Sequence, residues 1–101
     1  MSTPEPLWRH ALGRELRRRR HARRETLAGT AARAGVSPQY LSEVERGRKE
    51  PSSEMIAAVA GALGTGLADL TRAVADDLAA PAPGRAPVAR GADRTAYALA
   101  A

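Results

Sequence analysis

Residues 34–47 read Ala34-Gly35-Val36-Ser37-Pro38-Gln39-Tyr40-Leu41-Ser42-Glu43-Val44-Glu45-Arg46-Gly47. Ser37 is a good N-cap, and Pro38 suits the first helical position, where its missing N–H costs nothing. Gly47 can take the left-handed conformation that stops a helix. The stretch therefore predicts a short helix over 38–46, with Leu41 and Val44 facing inward. Upstream, Thr26 can cap a second short helix over 27–34, which Gly35 ends. Gly29 and Thr30 are poor helix formers, so packing must hold this helix. Two short helices joined by Ala34-Gly35-Val36-Ser37 are the centre of the chain.

Further out, Trp8, Leu12 and Leu16 recur every four residues and predict a helix over 8–22. Its other side carries Arg14, Arg17, Arg18 and Arg19. Beyond the loop Arg48-Lys49-Glu50-Pro51, Ser52 caps a fourth helix over 53–63, with Ile56, Val59, Ala60 and Leu63 as its buried side. Gly64-Thr65-Gly66 breaks the chain before a fifth helix over 67–79, with Leu67, Leu70, Val74 and Leu78 on one stripe. Residues 1–7 hold two prolines and are expected to be loose. The segment 80–101 is rich in Pro, Gly, Ala and Arg, lacks periodicity and is expected to be a disordered tail. The expected class is all-α, five helices over 8–79, without strands or repeats.

Composition excludes several classes of activity. The chain of 101 residues has no Cys, so no disulfide and no thiolate metal site. His10 and His21 are its only imidazoles, with no carboxylate pattern around them, which leaves no metal or acid–base centre. No nucleophile–base pair or phosphate-binding loop is present, so an enzyme is not expected, and no cofactor is required. No apolar run approaches the ~18 residues of a membrane span, and Met1-Ser2-Thr3-Pro4-Glu5 does not begin like a signal peptide. A soluble, cytoplasmic, nucleoid-associated protein is the expectation. Arg outnumbers Lys fifteen to one, and Phe and Asn are absent, as GC-rich codons favour.

Charge is unevenly placed. Residues 8–49 carry twelve basic and four acidic side chains, whereas 50–79 carry one Arg against five acids. A basic half joined to an acidic half suggests one face made for a polyanion. A short, capped helix exposed at its N-terminal end can place its first residues on base edges in the major groove. Ser37, Pro38 and Gln39 lie at that end, with Glu43 one turn further on the same face. Arg46, Arg48 and Lys49 flank the far end and can grip the sugar–phosphate backbone; Tyr40, Ser42 and Arg17 complete the candidate backbone set. Two of these have second readings: Tyr40 partly buried against the fourth helix, and Arg17 to Arg19 as a solvated face.

The strings Leu12-Gly13-Arg14-Glu15-Leu16 with its run of Arg, and Ala31 to Ser52, resemble the lambda-repressor-like helix-turn-helix domains of xenobiotic-response-element-type regulators. Tyr40 to Glu50 resembles still more the Clp gene regulator family of actinobacteria, activators of Clp protease genes. The likeness covers about residues 9–75. It implies a lambda-repressor-like DNA-binding fold, base-reading or groove-lining roles for Ser37, Pro38, Gln39 and Glu43, phosphate contact at Arg46, and an internal ion pair between Arg20 and Glu45. Many relatives begin the second helix Leu-Thr-Gln, with the Gln on phosphate. Here the triplet is Glu25-Thr26-Leu27. Leu27 cannot donate to phosphate and is expected to pack inward, and Thr30 stands where Leu or Val is usual, weakening the core.

The leading expectation is a sequence-specific transcription regulator that binds an inverted repeat of double-stranded DNA as a homodimer. The acidic region around Asp69, Asp76 and Asp77, which phosphate would repel, points to the fifth helix as the dimer surface; RNA polymerase is a further partner of an activator. The alternative is an antitoxin-like DNA-binding protein that neutralises a partner protein with its tail. The closing Tyr97-Ala98-Leu99-Ala100-Ala101 resembles the tag that bacterial ribosome rescue adds to stalled chains. That likeness implies a degradation signal read by a Clp protease and its unfoldase, and a feedback loop on protease expression.

Overall fold

The structure, a computed structural model, describes residues 7–80, and these are helical and connecting segments without strands. In order they form α1 Trp8–Ala22, α2 Leu27–Ala34, α3 Pro38–Glu45, α4 Ser53–Ala62 and α5 Leu67–Ala79. Two helices stop one residue earlier than the sequence predicts. Arg46 and Leu63 occupy the cap positions of α3 and α4, with ψ of 1° and 7° instead of helical values. The tail from residue 81 and the candidate signal Tyr97–Ala101 lie outside the described residues.

The caps explain where the helices begin. Thr26, Ser37 and Ser52 each accept, through the side-chain hydroxyl, a hydrogen bond from the backbone N–H three residues on, at 3.0, 3.0 and 3.2 Å. The four helices α1 to α4 end alike, in a Schellman turn. The N–H groups of Glu25, Val36, Arg48 and Thr65 reach back to the carbonyls of Arg20, Ala31, Glu43 and Ala60 at 2.9–3.1 Å. This geometry needs a left-handed residue, supplied by Gly35, Gly47 and Gly64 in three cases and by Arg24, at φ 57°, in α1.

Arg24 is thus the one strained terminator among the described residues. Arg24→Gly relieves about 1–2 kcal/mol of left-handed strain and returns about 0.4–1 kcal/mol of chain freedom to the unfolded state. The expected net is a gain of about 0.5–1 kcal/mol, a rise of several degrees in Tm for a domain of this size. A thermal melt measures it; an unchanged or lower Tm shows that Arg24 is not strained.

One core joins all five helices: Leu12 and Leu16 from α1, Ala31 from α2, Leu41 and Val44 from α3, Ile56 and Val59 from α4, with Leu63 just beyond it, and Leu70 and Val74 from α5. Trp8, Leu27, Tyr40 and Leu78 pack at its edge. Helix α1 is central and lies against both α3 and α5, while α2 packs on α3 and α4. The α1–α3 crossing is close because Gly13 has no side chain. A Cβ there would lie 2.5 Å from the Glu45 carbonyl oxygen and 2.6 Å from that of Val44. Leu67 departs from the expected apolar stripe: at the first position of α5 it is 40% exposed. Thr30 is fully buried, and its hydroxyl donates to Glu25 at 2.8 Å, so this core position carries a satisfied polar atom.

Candidate nucleic-acid interface

Burial of Leu41 and Val44 fixes the rotation of α3 and so decides what it shows to solvent. Ser37, Pro38 and Gln39 are exposed at its N-terminal end, and Arg46, Arg48 and Lys49 are exposed at its other end. Gln39, Glu43 and Arg46 share the outward face by their spacing of four and three. Glu43 is half-buried and faces Lys49, carboxylate to ammonium 3.7 Å. Tyr40 is half-buried and packs at the edge of the core, and Ser42 is half-buried.

Helix α1 holds the C-terminal half of α3 at three points. The Arg20 guanidinium donates from Nε and Nη2 to the two carboxylate oxygens of Glu45, at 2.8 and 2.9 Å. Both side chains are almost buried, 11% and 6% exposed. The Arg20 pKa is raised by the hydrogen bond to Glu45, with burial opposing and the Glu45 charge assisting. Arg9 Nε donates to the Gly47 carbonyl at 2.9 Å. The third point is the Gly13 crossing. The exposed N-terminal end of α3 therefore projects from a braced base.

The arginines of α1 do not form one basic face. Arg14 pairs with Asp77 of α5 at 2.9 Å. Arg18 and Arg19 both turn onto Glu15, whose carboxylate is 3% exposed, with Arg19 at 2.6 Å. Among the described residues, Arg17, Arg46 and Arg48 are exposed cations that meet no carboxylate within ion-pair distance. Arg17 and Arg46 flank a cleft of about 180 Å³ that Arg20, Leu27, Ser42 and Glu45 also line. On α5, Asp69 faces its own neighbour Arg72 at 2.9 Å, and Asp76 is exposed.

Sequence reasoning missed a second charged cluster. The Glu25 carboxylate accepts from the Thr30 hydroxyl, from Arg23 Nε at 2.9 Å and from Arg33, which also donates to the Ala62 carbonyl at 3.2 Å. It ties the end of α1, helix α2 and the end of α4 together. The Thr30 hydrogen bond, then those of Arg23 and Arg33, hold the Glu25 carboxyl down at about 2. No local pattern marks it, since Arg33 and Ala62 meet only after folding. Among the described residues there is no His, Asp and Glu grouping that could hold a metal, and no helix long and apolar enough to cross a membrane.

Residues 11–74 match the model of the family described as helix-turn-helix domain. The transcriptional regulator ClgR of Mycobacterium tuberculosis is 49% identical over 57 residues, 56% of this chain and 51% of that protein, so the chain spans about half the length of the curated relatives it matches. The crystal structure of the clp gene regulator ClgR from C. glutamicum is similar at a TM-score of 0.72 and 49% identity, over 76% of this chain and 99% of that one. A restriction-modification controller protein, 10% identical, shares the fold alone at a TM-score of 0.69.

Proposed function

Because this chain belongs to the helix-turn-helix domain family, we propose that it is a sequence-specific DNA-binding transcription regulator that activates Clp protease genes and binds an inverted repeat as a dimer. The observation that carries the DNA reading is the exposed N-terminal end of a helix whose C-terminal half is braced by α1, together with the cations Arg17, Arg46 and Arg48, unpaired among the described residues. In this reading Ser37, Pro38, Gln39 and Glu43 meet base edges, and Tyr40, Ser42, Arg17, Arg46, Arg48 and Lys49 meet the backbone. Eight helical residues cover only a few base pairs, so a second copy extends the site. Helix α5, which packs on α1 and α4 and bears Asp69, Asp76 and the exposed Leu67, is the proposed dimer surface. The Clp assignment rests on the 49% identity to ClgR proteins.

Gln39→Ala is expected to cost about 1–3 kcal/mol on the specific site and to relax preference at one base pair. Arg48→Ala is expected to weaken all sequences alike and to lower the salt slope by about one. Binding titrations on operator and random duplex over a range of salt separate the two. Equal losses on both duplexes for Gln39→Ala exclude it as a base reader.

The proposal includes the degradation signal at Tyr97–Ala101, which rests on sequence alone. Replacing Ala100 and Ala101 by Asp is expected to leave DNA affinity unchanged and to lengthen the cellular half-life several-fold. A chase after blocking protein synthesis, with and without the Clp peptidase, measures it; equal decay of parent and variant while the peptidase is active removes this part of the proposal.

A further inference from the structure

A groove of about 820 Å³ opens between α1 and α5, within the ~300–1,000 Å³ range of clefts that hold a ligand. Most of its charge is already closed. Arg14 ends on Asp77 at 2.9 Å, and Arg18 ends on Glu15. Two charges are left, Arg17 on the α1 wall and Asp76 on the α5 wall. Each is exposed and meets no opposite charge within ion-pair distance among the described residues. The half-buried Ala73 and the aliphatic stems of Arg14 and Arg18 add apolar surface. An occupant that fits this groove carries one cation and one anion, joined by a small apolar stretch.

Helix α5 also ends unlike the other four. It has no Schellman turn: Ala80 leaves it extended, at φ −70° and ψ 149°. Its last turn holds Asp76 and Asp77, two acids at the negative end of the helix dipole, and no basic residue. A cation at Asp76 would answer both the side chain and the dipole. The chain itself supplies one. Beyond Ala80 the sequence runs Pro81-Ala82-Pro83-Gly84-Arg85-Ala86-Pro87-Val88-Ala89-Arg90-Gly91-Ala92-Asp93. Arg85 is five residues past Ala80, up to ~17 Å of chain, whereas Asp76 is four helical residues back, about 6 Å. The apolar run Ala86 to Ala89 comes next, and Asp93 is the single acid after Ala80. Cation, apolar run and anion thus follow in the order that the groove requires. Pro81, Pro83 and Pro87 have a fixed φ, which lowers the freedom lost on docking.

We propose that residues 81–93 of the same chain dock in the α1–α5 groove, with Arg85 on Asp76, Ala86 to Ala89 against Ala73, and Asp93 on Arg17. The occupied groove then regulates the DNA face. Arg17 is one of the cations assigned above to the DNA backbone, so the docked segment and DNA exclude each other at that residue. Docking stands on the groove and the sequence alone; the competition rests on the DNA-binding reading as well. The first turn of α5, with Leu67 and Asp69, stays free for a second copy.

The test uses the full chain. With no native Cys, Ala96→Cys carries a nitroxide at a single position just past the segment. Chains bearing both the nitroxide and isotope-labelled amides are diluted into excess unlabelled chain, so that relaxation reports contacts within one chain. Broadening is expected to be strongest at Arg17 and Ala73, weakest in α2, and to fade as salt rises. Asp76→Asn and Arg85→Ala should each reduce it severalfold, and Asp69→Asn should not. Broadening that is absent, or spread evenly over the helices, overturns the docking. Broadening that appears only when nitroxide and labelled amides sit on different chains gives the groove to a second copy and overturns it equally. DNA titrations test the regulation. Asp93→Asn should tighten binding to specific and random duplex alike, by the fraction of chains it releases. In Arg17→Ala the same substitution should gain nothing; a full gain there shows general repulsion between Asp93 and DNA and overturns the competition. A parent that binds no duplex removes the DNA reading and the competition together, while the relaxation pattern still decides the docking. Melting temperatures equal to the parent's keep the comparison free of folding effects, as Arg17, Asp69 and Asp76 are exposed.

Discussion

Glu45→Ala is expected to destabilise the domain by about 3 kcal/mol, because it strands the Arg20 guanidinium at a site where its partner is almost fully buried. Arg20 keeps its bond to the Glu25 carbonyl at 3.0 Å, so the loss falls at the lower end of the ~3–5 kcal/mol that breaking a buried pair costs. Glu43→Ala is the control. Its bridge to Lys49 is long, 3.7 Å, and open to water on the Lys49 side, so it should change stability by no more than about 0.5 kcal/mol. A third variant separates the pair's charge from its shape. Arg20→Met with Glu45→Leu removes both ions and fills the space, and should recover most of the loss, since an apolar pair of similar volume carries no desolvation cost. Chemical denaturation of the three variants reads the differences. Equal stability of Glu45→Ala and Glu43→Ala would show that the Arg20–Glu45 contact does not brace α3.

Gly13→Val is expected to cost at least about 3 kcal/mol, the upper range of overpacking. The obstacles are the Glu45 and Val44 carbonyl oxygens, which belong to the backbone at the end of α3 and cannot rotate aside. Gly13→Ala brings the same Cβ to 2.5 Å from Glu45, but gains about 1 kcal/mol of helix propensity against about 3 kcal/mol of overpacking, a net loss of about 2 kcal/mol. The order parent, Ala, Val in Tm is the expected result. Because α1 and α3 must part to admit the new atoms, specific DNA affinity should fall more than random-duplex affinity in both variants. A Gly13→Ala protein as stable as the parent would mean that the two helices separate without cost.

Much of the architecture was legible because it is written in local chemistry. Thr26, Ser37 and Ser52 announce helix starts, Gly35 and Gly47 announce ends, and periodic Leu and Val mark inward faces. Those signals depend on residues three to five apart. The helix ends were legible only to within a residue: Arg46 and Leu63 cap α3 and α4, because an N–H can bond backward after ψ has left the helical range. What the sequence concealed depends on residues far apart. Gly13 reads as a weak spot in a helix until α3 is laid across it. Arg14 reads as one more charge on a polar face until Asp77 of α5 meets it. Arg17 was a backbone candidate from the start, but the sequence does not show that α5 claims Arg14 and α3 claims Arg20. Arg46 entered by its position at the end of α3, Arg20 and Glu45 through a family resemblance, and the contact of Arg20 with Glu45 is a property of the folded chain.

The Glu25 cluster carries a consequence for proton uptake. Its carboxyl, at about 2 when folded, lies below the ~4.3 of a free glutamate. Its contribution to stability is therefore fully present above ~4.3 and is surrendered as pH falls through about 2, because unfolding in that window takes up a proton. Across the whole neutral range the same carboxylate exchanges no proton on folding. The clasp that joins the ends of α1 and α4 is for this reason blind to ordinary acid stress, and such stress would have to loosen the domain at some other joint first.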